Sequence, residues 1–178
     1  MSVNSLTTAL ITGGTSGIGR AAANKLAQLG IHVIVVGRDA ARGEKTVAEI
    51  RGAGGKADFI SSDLRDASSV REVTKRAIEL GNGHVDILVN NAGIYPFGPT
   101  HETTEEAFEK VYSLNVKAPY FLVAQLAPLM AKRGLRRAIQ RRKQAGNPWL
   151  MLRIVCQREG NETLFGDLFQ PDSARSRQ

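Results

Sequence analysis

The 178-residue sequence lacks the residues on which several classes of protein depend. Its one cysteine, Cys156, excludes an intramolecular disulfide framework, and no cysteine or histidine pair has the spacing of metal ligands. No apolar run approaches the roughly 18 residues that span a bilayer. The N-terminal residues also lack the charged region and long apolar run of a signal peptide. We therefore expect a soluble cytoplasmic protein with no metal site and no membrane association.

The composition divides the chain into two parts. Hydrophobic residues make up 42% of the sequence, which is too apolar for a disordered chain and sufficient for one compact domain. Residues 1–134 carry 15 basic and 13 acidic residues, whereas residues 135–178 carry 9 basic and 4 acidic residues. We therefore predict a domain at 1–134 and an atypical arginine-rich segment at 135–178. Without interleaved aromatic residues, this segment does not favour nucleic-acid binding.

Four apolar, β-branched runs alternate with helical patterns in the first part. Asp39 and Asp66 are predicted to cap the second and third helices, and Thr103 with Glu106 forms a capping box for a long fourth helix. Each crossover helix returns the chain to the same edge of a sheet, so this alternation predicts an α/β fold with a doubly wound parallel sheet. The four predicted strands are Leu6–Thr12, Ile31–Val36, Lys56–Ser61 and Val85–Val89.

A glycine-rich loop with the sequence TGGTSGIG joins the first strand to the first helix. Gly13 permits a sharp turn, Gly17 lets a pyrophosphate approach the backbone, and Gly19 lets the helix pack closely on the strand. The helix N-terminus adds unpaired N–H groups and the positive end of a dipole. With a strand before it and a helix after it, the loop predicts dinucleotide binding rather than a simple turn. The predicted binding residues are Thr12, Gly13, Thr15, Ser16, Gly17, Ile18 and Gly19.

The end of the second strand, VVGRD, selects between two dinucleotides. An acidic residue near this point binds the ribose hydroxyls of NAD, whereas an arginine accommodates the 2′-phosphate of NADP. Gly37 stands where the acid is expected, and the guanidinium of Arg38 suits a phosphate. We therefore expect NADP as the cofactor. NAD remains the alternative, because Asp39 can either cap the next helix or reach the ribose.

Residues 1–134 resemble the short-chain dehydrogenase/reductase family. The resemblance is carried by Thr12–Gly19, Ser62-Asp63-Leu64, the NNAG sequence Asn90–Gly93 after the fourth strand, and Asn115 in SLNV. It implies a Rossmann-like fold in which the chain supplies strands in the order 3-2-1-4. The second half of such a sheet is then missing or replaced, because nothing after Gly134 matches the family.

The resemblance also implies roles for individual residues. Asp63 and Leu64 flank the adenine, with the Asp63 carboxylate accepting a hydrogen bond from the adenine amino group. The NNAG residues Asn90, Ala92 and Gly93 line the cofactor near its ribose and support the central strand.

Asn115 belongs, by this resemblance, to a bend in the fourth helix, where its main-chain carbonyl holds a water of a proton relay. Pro119, four residues later, has no N–H with which to bond that carbonyl. The same pattern also describes a helix that is simply kinked by proline. Because family members commonly pair their fourth and fifth helices between subunits, a homo-oligomer through the fourth helix is an open expectation.

Of the catalytic residues that the resemblance implies, Asn115 is present, but the Ser and the Tyr-xxx-Lys do not occur where they are expected. Family members transfer hydride between a nicotinamide and a carbonyl or alcohol, with a Ser, a Tyr, and a Lys four residues after the Tyr. None of the three tyrosines, Tyr95, Tyr112 and Tyr120, has Lys at the fourth position after it. We therefore expect an oxidoreductase of small-molecule substrates whose activity is impaired in this chain. The alternative is a non-catalytic nucleotide-binding module, or pseudoenzyme, whose tail binds a partner.

The last part of the chain carries three further expectations. Arg136–Lys143 is predicted to extend the fourth helix, and Trp149–Cys156 is predicted to pair beside the fourth strand. Pro171–Gln178 is predicted to be disordered.

Overall fold

The computed structural model describes residues 7–96 and 98–132 with their side chains, and the backbone of residues 137–142, 151–157 and 163–167. Strands and helices alternate in the first part, as the sequence predicts. The strands are β1 (Thr8–Thr12), β2 (His32–Gly37), β3 (Ala57–Ser61) and β4 (Ile87–Asn90), and the helices between them are α1 (Gly17–Gln28), α2 (Ala40–Gly52) and α3 (Ala67–Leu80).

These four strands form a parallel sheet in the order β3-β2-β1-β4, which confirms the predicted 3-2-1-4 arrangement. The central strand is β1, in which Leu10 stands opposite Ile34 of β2 and Leu88 of β4. Asp39 and Asp66 cap α2 and α3, as predicted, with carboxylate oxygens that accept backbone N–H groups of the first turn. The three parallel pairings direct the carboxyl ends of all four strands to one edge of the sheet.

The predicted fourth helix consists of α4 (Glu105–Tyr112), a π-helical turn (Ser113–Lys117) and α5 (Ala118–Lys132). Its N-cap is Thr104, whose hydroxyl oxygen accepts the Ala107 N–H at 3.2 Å, so the predicted capping box at Thr103 is wrong by one residue. Thr103 instead closes the preceding 3-10 turn, because its own N–H donates to the Thr100 carbonyl. No helix of the described residues combines the length and apolarity that crossing a bilayer requires.

The sheet separates two hydrophobic cores. On one face, Leu10 and Leu88 pack with α3 and α5, and on the other face Ile11 and Val89 pack with α1 and α2. Because helices cover both faces, the strands carry apolar residues at successive positions rather than in strict alternation. This explains the continuous apolar run at residues 33–36, all of which are fully buried.

Three more strands extend the sheet beyond β4. They are β5 (Arg137–Arg142), which runs parallel to β4, and β6 (Met151–Gln157) and β7 (Thr163–Asp167), each antiparallel to the strand before it. The second half of a doubly wound parallel sheet is thus replaced by one parallel strand and two antiparallel ones.

Two expectations for this region are wrong. The segment predicted to extend the fourth helix, Arg136–Lys143, supplies β5, whereas the described part of Trp149–Cys156 lies in β6, one position further out. The physical reason is chain direction: α4 and α5 return the chain to the beginning of β4, so the first segment after them pairs in parallel. The next segment must then run back. Pro171–Gln178 lies outside the described residues.

Candidate functional site

The glycine-rich loop turns sharply between β1 and α1. Gly13 and Gly17 have φ values of +64° and +52°, which are in the left-handed region that favours glycine. At Gly19, a Cβ atom would lie 2.3 Å from the carbonyl oxygen of Gly13, so the helix approaches the loop too closely for any side chain. Gly13 therefore forms the sharp turn that the sequence pattern predicted, and Gly19 allows a close approach of the helix to the loop.

The loop is fixed to the end of β4 by buried hydrogen bonds. The Thr12 hydroxyl oxygen accepts the backbone N–H groups of Asn91 and Ala92, both at 3.0 Å. In return, the Asn91 side-chain amide donates to the carbonyl oxygens of Thr12 and Gly13, at 2.9 and 3.0 Å. Residues nearly eighty positions apart in the chain thus hold each other in place.

Replacement of Thr12 by valine is expected to destabilise this junction. The variant keeps the shape of the side chain but leaves two N–H groups at the end of β4 without their acceptor, which costs about 2 kcal/mol in the free energy of unfolding. Urea unfolding of the two proteins measures the difference. Thr12→Ser, which retains the hydroxyl, is the matched control and is expected to lose less. A Thr12→Val variant as stable as the parent chain would contradict this account.

A cleft of about 830 Å³ opens at the carboxyl ends of the four parallel strands. Its wall is built from the glycine-rich loop and from the segments that follow β2, β3 and β4. In an open α/β sheet, ligands bind in this position. The cleft brings together ten of the residues predicted from the sequence: Gly13, Thr15, Ser16, Gly17, Ile18, Arg38, Asp63, Leu64, Ala92 and Gly93.

The N-terminus of α1 opens into this cleft. Ser16 occupies the N-cap position, but its side chain makes no capping hydrogen bond, and the first turn contains no acidic residue. The first N–H groups of the helix therefore keep their capacity to donate, and the positive end of the helix dipole is not offset locally. Such a terminus binds anions, phosphates in particular.

At the end of β2, two arginines and one aspartate line the cleft. The Asp39 carboxylate accepts the backbone N–H of Arg42 at 3.0 Å and its Nε at 2.5 Å. Hydrogen bonds from Arg42, the backbone N–H first, lower the pKa of Asp39. Arg38, by contrast, makes no hydrogen bond or ion pair with any residue in the described part of the chain.

At the end of β3, Asp63 is engaged by its neighbour Arg65. Its carboxylate accepts the backbone N–H of Arg65 at 3.1 Å, the Nε at 3.0 Å on both oxygens, and the Nη2. The side-chain hydrogen bond from Arg65 is the main cause that lowers the pKa of Asp63. Asp63 therefore presents an ionised carboxylate to the cleft.

Four predicted residues stand behind the wall of the cleft rather than in it. Thr12 and Gly19 hold the loop, as described above. The side chain of Asn90 is buried, and its amide makes no hydrogen bond within the described residues. Asn115 lies in the π-helical turn, and its amide donates to the Ile94 carbonyl at 2.7 Å and accepts the Ile94 N–H at 3.0 Å. This pair holds the segment after β4 against the helix.

The structure adds residues that the sequence interpretation missed. Asn91, Arg42 and Arg65 line the cleft, and none was predicted there. A signal for two of them exists in the sequence, since Arg42 follows the helix cap Asp39 by three residues and Arg65 follows Asp63 by two. At these spacings, a carboxylate that accepts a backbone N–H also lies within reach of the arginine side chain.

The part of the chain that forms the cleft is similar in sequence to known proteins. A family model described as short chain dehydrogenase matches residues 7–146, and so continues past Gly134 through β5. An uncharacterized oxidoreductase of Thermotoga maritima is 42% identical over 125 residues, which cover 70% of this chain and 49% of that protein. The chain therefore spans about half the length of such a curated relative.

Two solved structures extend the comparison. A metagenomic short-chain oxidoreductase in complex with NADP superposes with a TM-score of 0.77 at 32% identity, covering 83% of this chain and 66% of the other. A protein described as a putative betaketoacyl-ACP reductase gives a TM-score of 0.69 at 43% identity, covering 75% and 53%. The family model alone matches well over half of the chain. On the strength of this match and of the fold, the chain belongs to the short-chain dehydrogenase family.

Proposed function

We propose that the chain binds NADP(H) in the cleft, as the cofactor-binding part of an oxidoreductase that interconverts carbonyl and alcohol groups of small molecules. The observation that carries the proposal is the pairing of an uncapped helix N-terminus with Arg38, which lines the same cleft and makes no hydrogen bond or ion pair with the described residues. The helix N-terminus receives the diphosphate, and Arg38 receives the 2′-phosphate. The metagenomic relative that superposes on this chain is in complex with NADP.

The roles of the cleft residues follow from their positions. The loop residues Gly13–Gly19 hold the diphosphate. The glycines of the loop leave the backbone uncovered by side chains, so its N–H groups are available to the diphosphate. Asp63 and Leu64 flank the adenine. Ala92 and Gly93 face the ribose, with Asn90 behind them supporting β4. When bound, the nicotinamide supplies the hydride.

The choice of NADP over NAD depends on Asp39. The negative charge of Asp39 is paired with Arg42, whose backbone N–H and Nε both donate to its carboxylate. Asp39 also caps α2. Arg38, in contrast, has its five N–H donors available. The arrangement favours a phosphate at this point of the cleft.

Asn115 is proposed to position the proton relay. Its amide holds the segment after β4 through Ile94. Pro119 has no N–H to donate to the Asn115 main-chain carbonyl, which supports a role of that carbonyl in holding a water. The chain contains no Tyr-xxx-Lys to use such a relay, so we propose that its turnover is impaired. For the same reason, a nucleotide-binding module whose segment 135–178 binds a partner is the second candidate.

Calorimetric titration with NADPH and NADH tests the binding proposal. We expect saturable binding with a preference for NADPH, and a loss of about tenfold or more in NADPH affinity in Arg38→Gln, with NADH affinity little changed. Lys45→Gln, which removes the same charge from the exposed face of α2, is the control and is expected to bind like the parent chain. No saturable heat with either nucleotide would overturn the proposal.

The outer surface of α4 and α5 is consistent with self-association. Six large apolar side chains are at least one-third exposed there, and Phe108 stacks on Tyr112 with ring centroids 6.0 Å apart. A contiguous apolar patch on a helix marks an interaction surface. We propose a homo-oligomer through this surface. The six residues are Phe108, Tyr112, Val116, Tyr120, Phe121 and Leu129.

A further inference from the structure

We infer that Arg42 is a second ligand of the 2′-phosphate and that it also shields Asp39 from that phosphate. The inference rests on the proposed function, because it assigns a further residue to the same cleft. Arg42 was not among the binding residues predicted from the sequence, although it follows Asp39 of the VVGRD sequence by three residues. Its assignment as a phosphate ligand rests on its position in the cleft wall beside Arg38.

The three arginines of the cleft differ in the donors that they keep. Arg65 gives both its Nε and its Nη2 to Asp63, so one complete edge of its guanidinium is occupied. Arg42 gives only its Nε to Asp39, and no other described residue accepts from its guanidinium. The remaining edge of Arg42, formed by its two terminal nitrogens, has the fork geometry that binds a phosphate through two hydrogen bonds. Arg65 is therefore engaged by Asp63, whereas the terminal nitrogens of Arg42 are available to bind a ligand.

Arg42 is also held in place before a ligand arrives. Asp39 binds it at two points, the backbone N–H and the Nε, and the Thr46 hydroxyl donates to its carbonyl at 2.9 Å. A long arginine side chain that is already restrained loses less conformational entropy when it binds a phosphate. Of these hydrogen bonds, the one from Nε restrains the side chain, and it ties the guanidinium to Asp39 at the start of α2.

The pair with Arg42 also offsets the negative charge of Asp39. Without Arg42, an ionised carboxylate would line the cleft next to the position proposed for the 2′-phosphate, and the two charges would repel each other. Loss of Arg42 therefore removes one ligand and exposes one repelling group. Both effects weaken the binding of a nucleotide that carries the 2′-phosphate, and neither weakens the binding of NADH, whose ribose hydroxyls can donate to the freed Asp39 carboxylate.

The test compares NADPH and NADH binding in Arg42→Gln by calorimetric titration at fixed ionic strength. We expect NADPH affinity to fall by about tenfold or more, and NADH affinity to stay unchanged or to rise. Adding Asp39→Asn to that variant is expected to restore part of the lost NADPH affinity, because asparagine caps a helix as well as aspartate does but carries no charge. Lys45→Gln, three residues further along α2, controls for the general loss of positive charge.

Each outcome of these titrations decides a separate point. Parent-like discrimination between NADPH and NADH in Arg42→Gln would overturn the assignment of Arg42, while NADPH binding by the parent chain would leave the proposed function standing. No recovery in the double variant would overturn the shielding of Asp39. Failure of the parent chain itself to bind NADPH would overturn the proposed function and this inference together. Circular dichroism establishes that each variant is folded.

Discussion

Replacing Gly19 with alanine is expected to abolish nucleotide binding and to destabilise the fold. The added Cβ would lie 2.3 Å from both the Gly13 carbonyl oxygen and the Asn91 side-chain nitrogen. Neither neighbour can retreat freely, because Gly13 forms the turn and Asn91 is hydrogen-bonded to it. Overpacking at such a site costs about 1–3 kcal/mol in the free energy of unfolding. Displacement of the loop also misplaces the N–H groups of α1, so NADPH affinity should fall below detection by calorimetry.

Gly52→Ala supplies the matched control. Gly52 lies at the end of α2 with no atom within 4 Å of the added Cβ and without a positive φ. This substitution is expected to stabilise the chain by up to about 1 kcal/mol, because alanine is the better helix former, and to leave NADPH affinity unchanged. If Gly19→Ala bound NADPH as the parent chain does, the loop would not be the phosphate site.

The 178-residue chain is expected to bind NADPH without reducing carbonyl compounds at an enzymatic rate. A tyrosine with its ordinary pKa of about 10 is a poor proton donor or acceptor near neutral pH unless a cation stabilises its anion. Four residues after the three tyrosines stand Pro99, Val116 and Ala124. In the folded chain, Lys117 does approach Tyr112, with its Nζ 5.3 Å from the ring centroid. That contact lies on the outer surface of α4 and α5 and not in the cleft wall.

The measurement is NADPH oxidation with a panel of ketones and aldehydes, performed on the sample whose NADPH binding has been titrated. We expect no rate more than about 10³-fold above the uncatalysed background, since the chain has no Tyr-xxx-Lys to transfer the proton. Tyr112→Phe is the control and is expected to leave the residual rate unchanged. A rate above that limit would refute the impairment and favour an intact oxidoreductase over the nucleotide-binding module.

Local patterns in the sequence predicted the first four strands and their helices to within about three residues. The reason is physical: a strand buried on both faces requires a continuous apolar run, and a helix start requires an acceptor side chain such as that of Asp39 or Asp66. The glycine pattern predicted the loop for the same kind of reason, because the positive φ values at Gly13 and Gly17 favour glycine. These requirements act within a few residues and are therefore visible in the sequence.

Local patterns were a poor guide to the chain after Gly134. The arginine-rich run at 136–143 suggested a solvated helix, but the returning crossover places its central residues beside β4 as a parallel strand. The pairing depends on where α5 ends relative to the sheet, which no local pattern encodes. The capping box predicted at Thr103 was wrong by one residue because the preceding 3-10 turn had no sequence signal of its own.

The sequence by itself determined the kind of site that this protein has: a glycine-rich loop between a buried strand and a helix, with an arginine at the end of the next strand. The tertiary structure alone decided which polar residues face the cleft. Of two adjacent asparagines, Asn91 lines the cleft and fastens the loop, while the side chain of Asn90 is buried behind it. The physical reason is that successive residues at the end of a strand point in different directions. Which direction meets the loop depends on contacts with Thr12, 79 positions away in the chain.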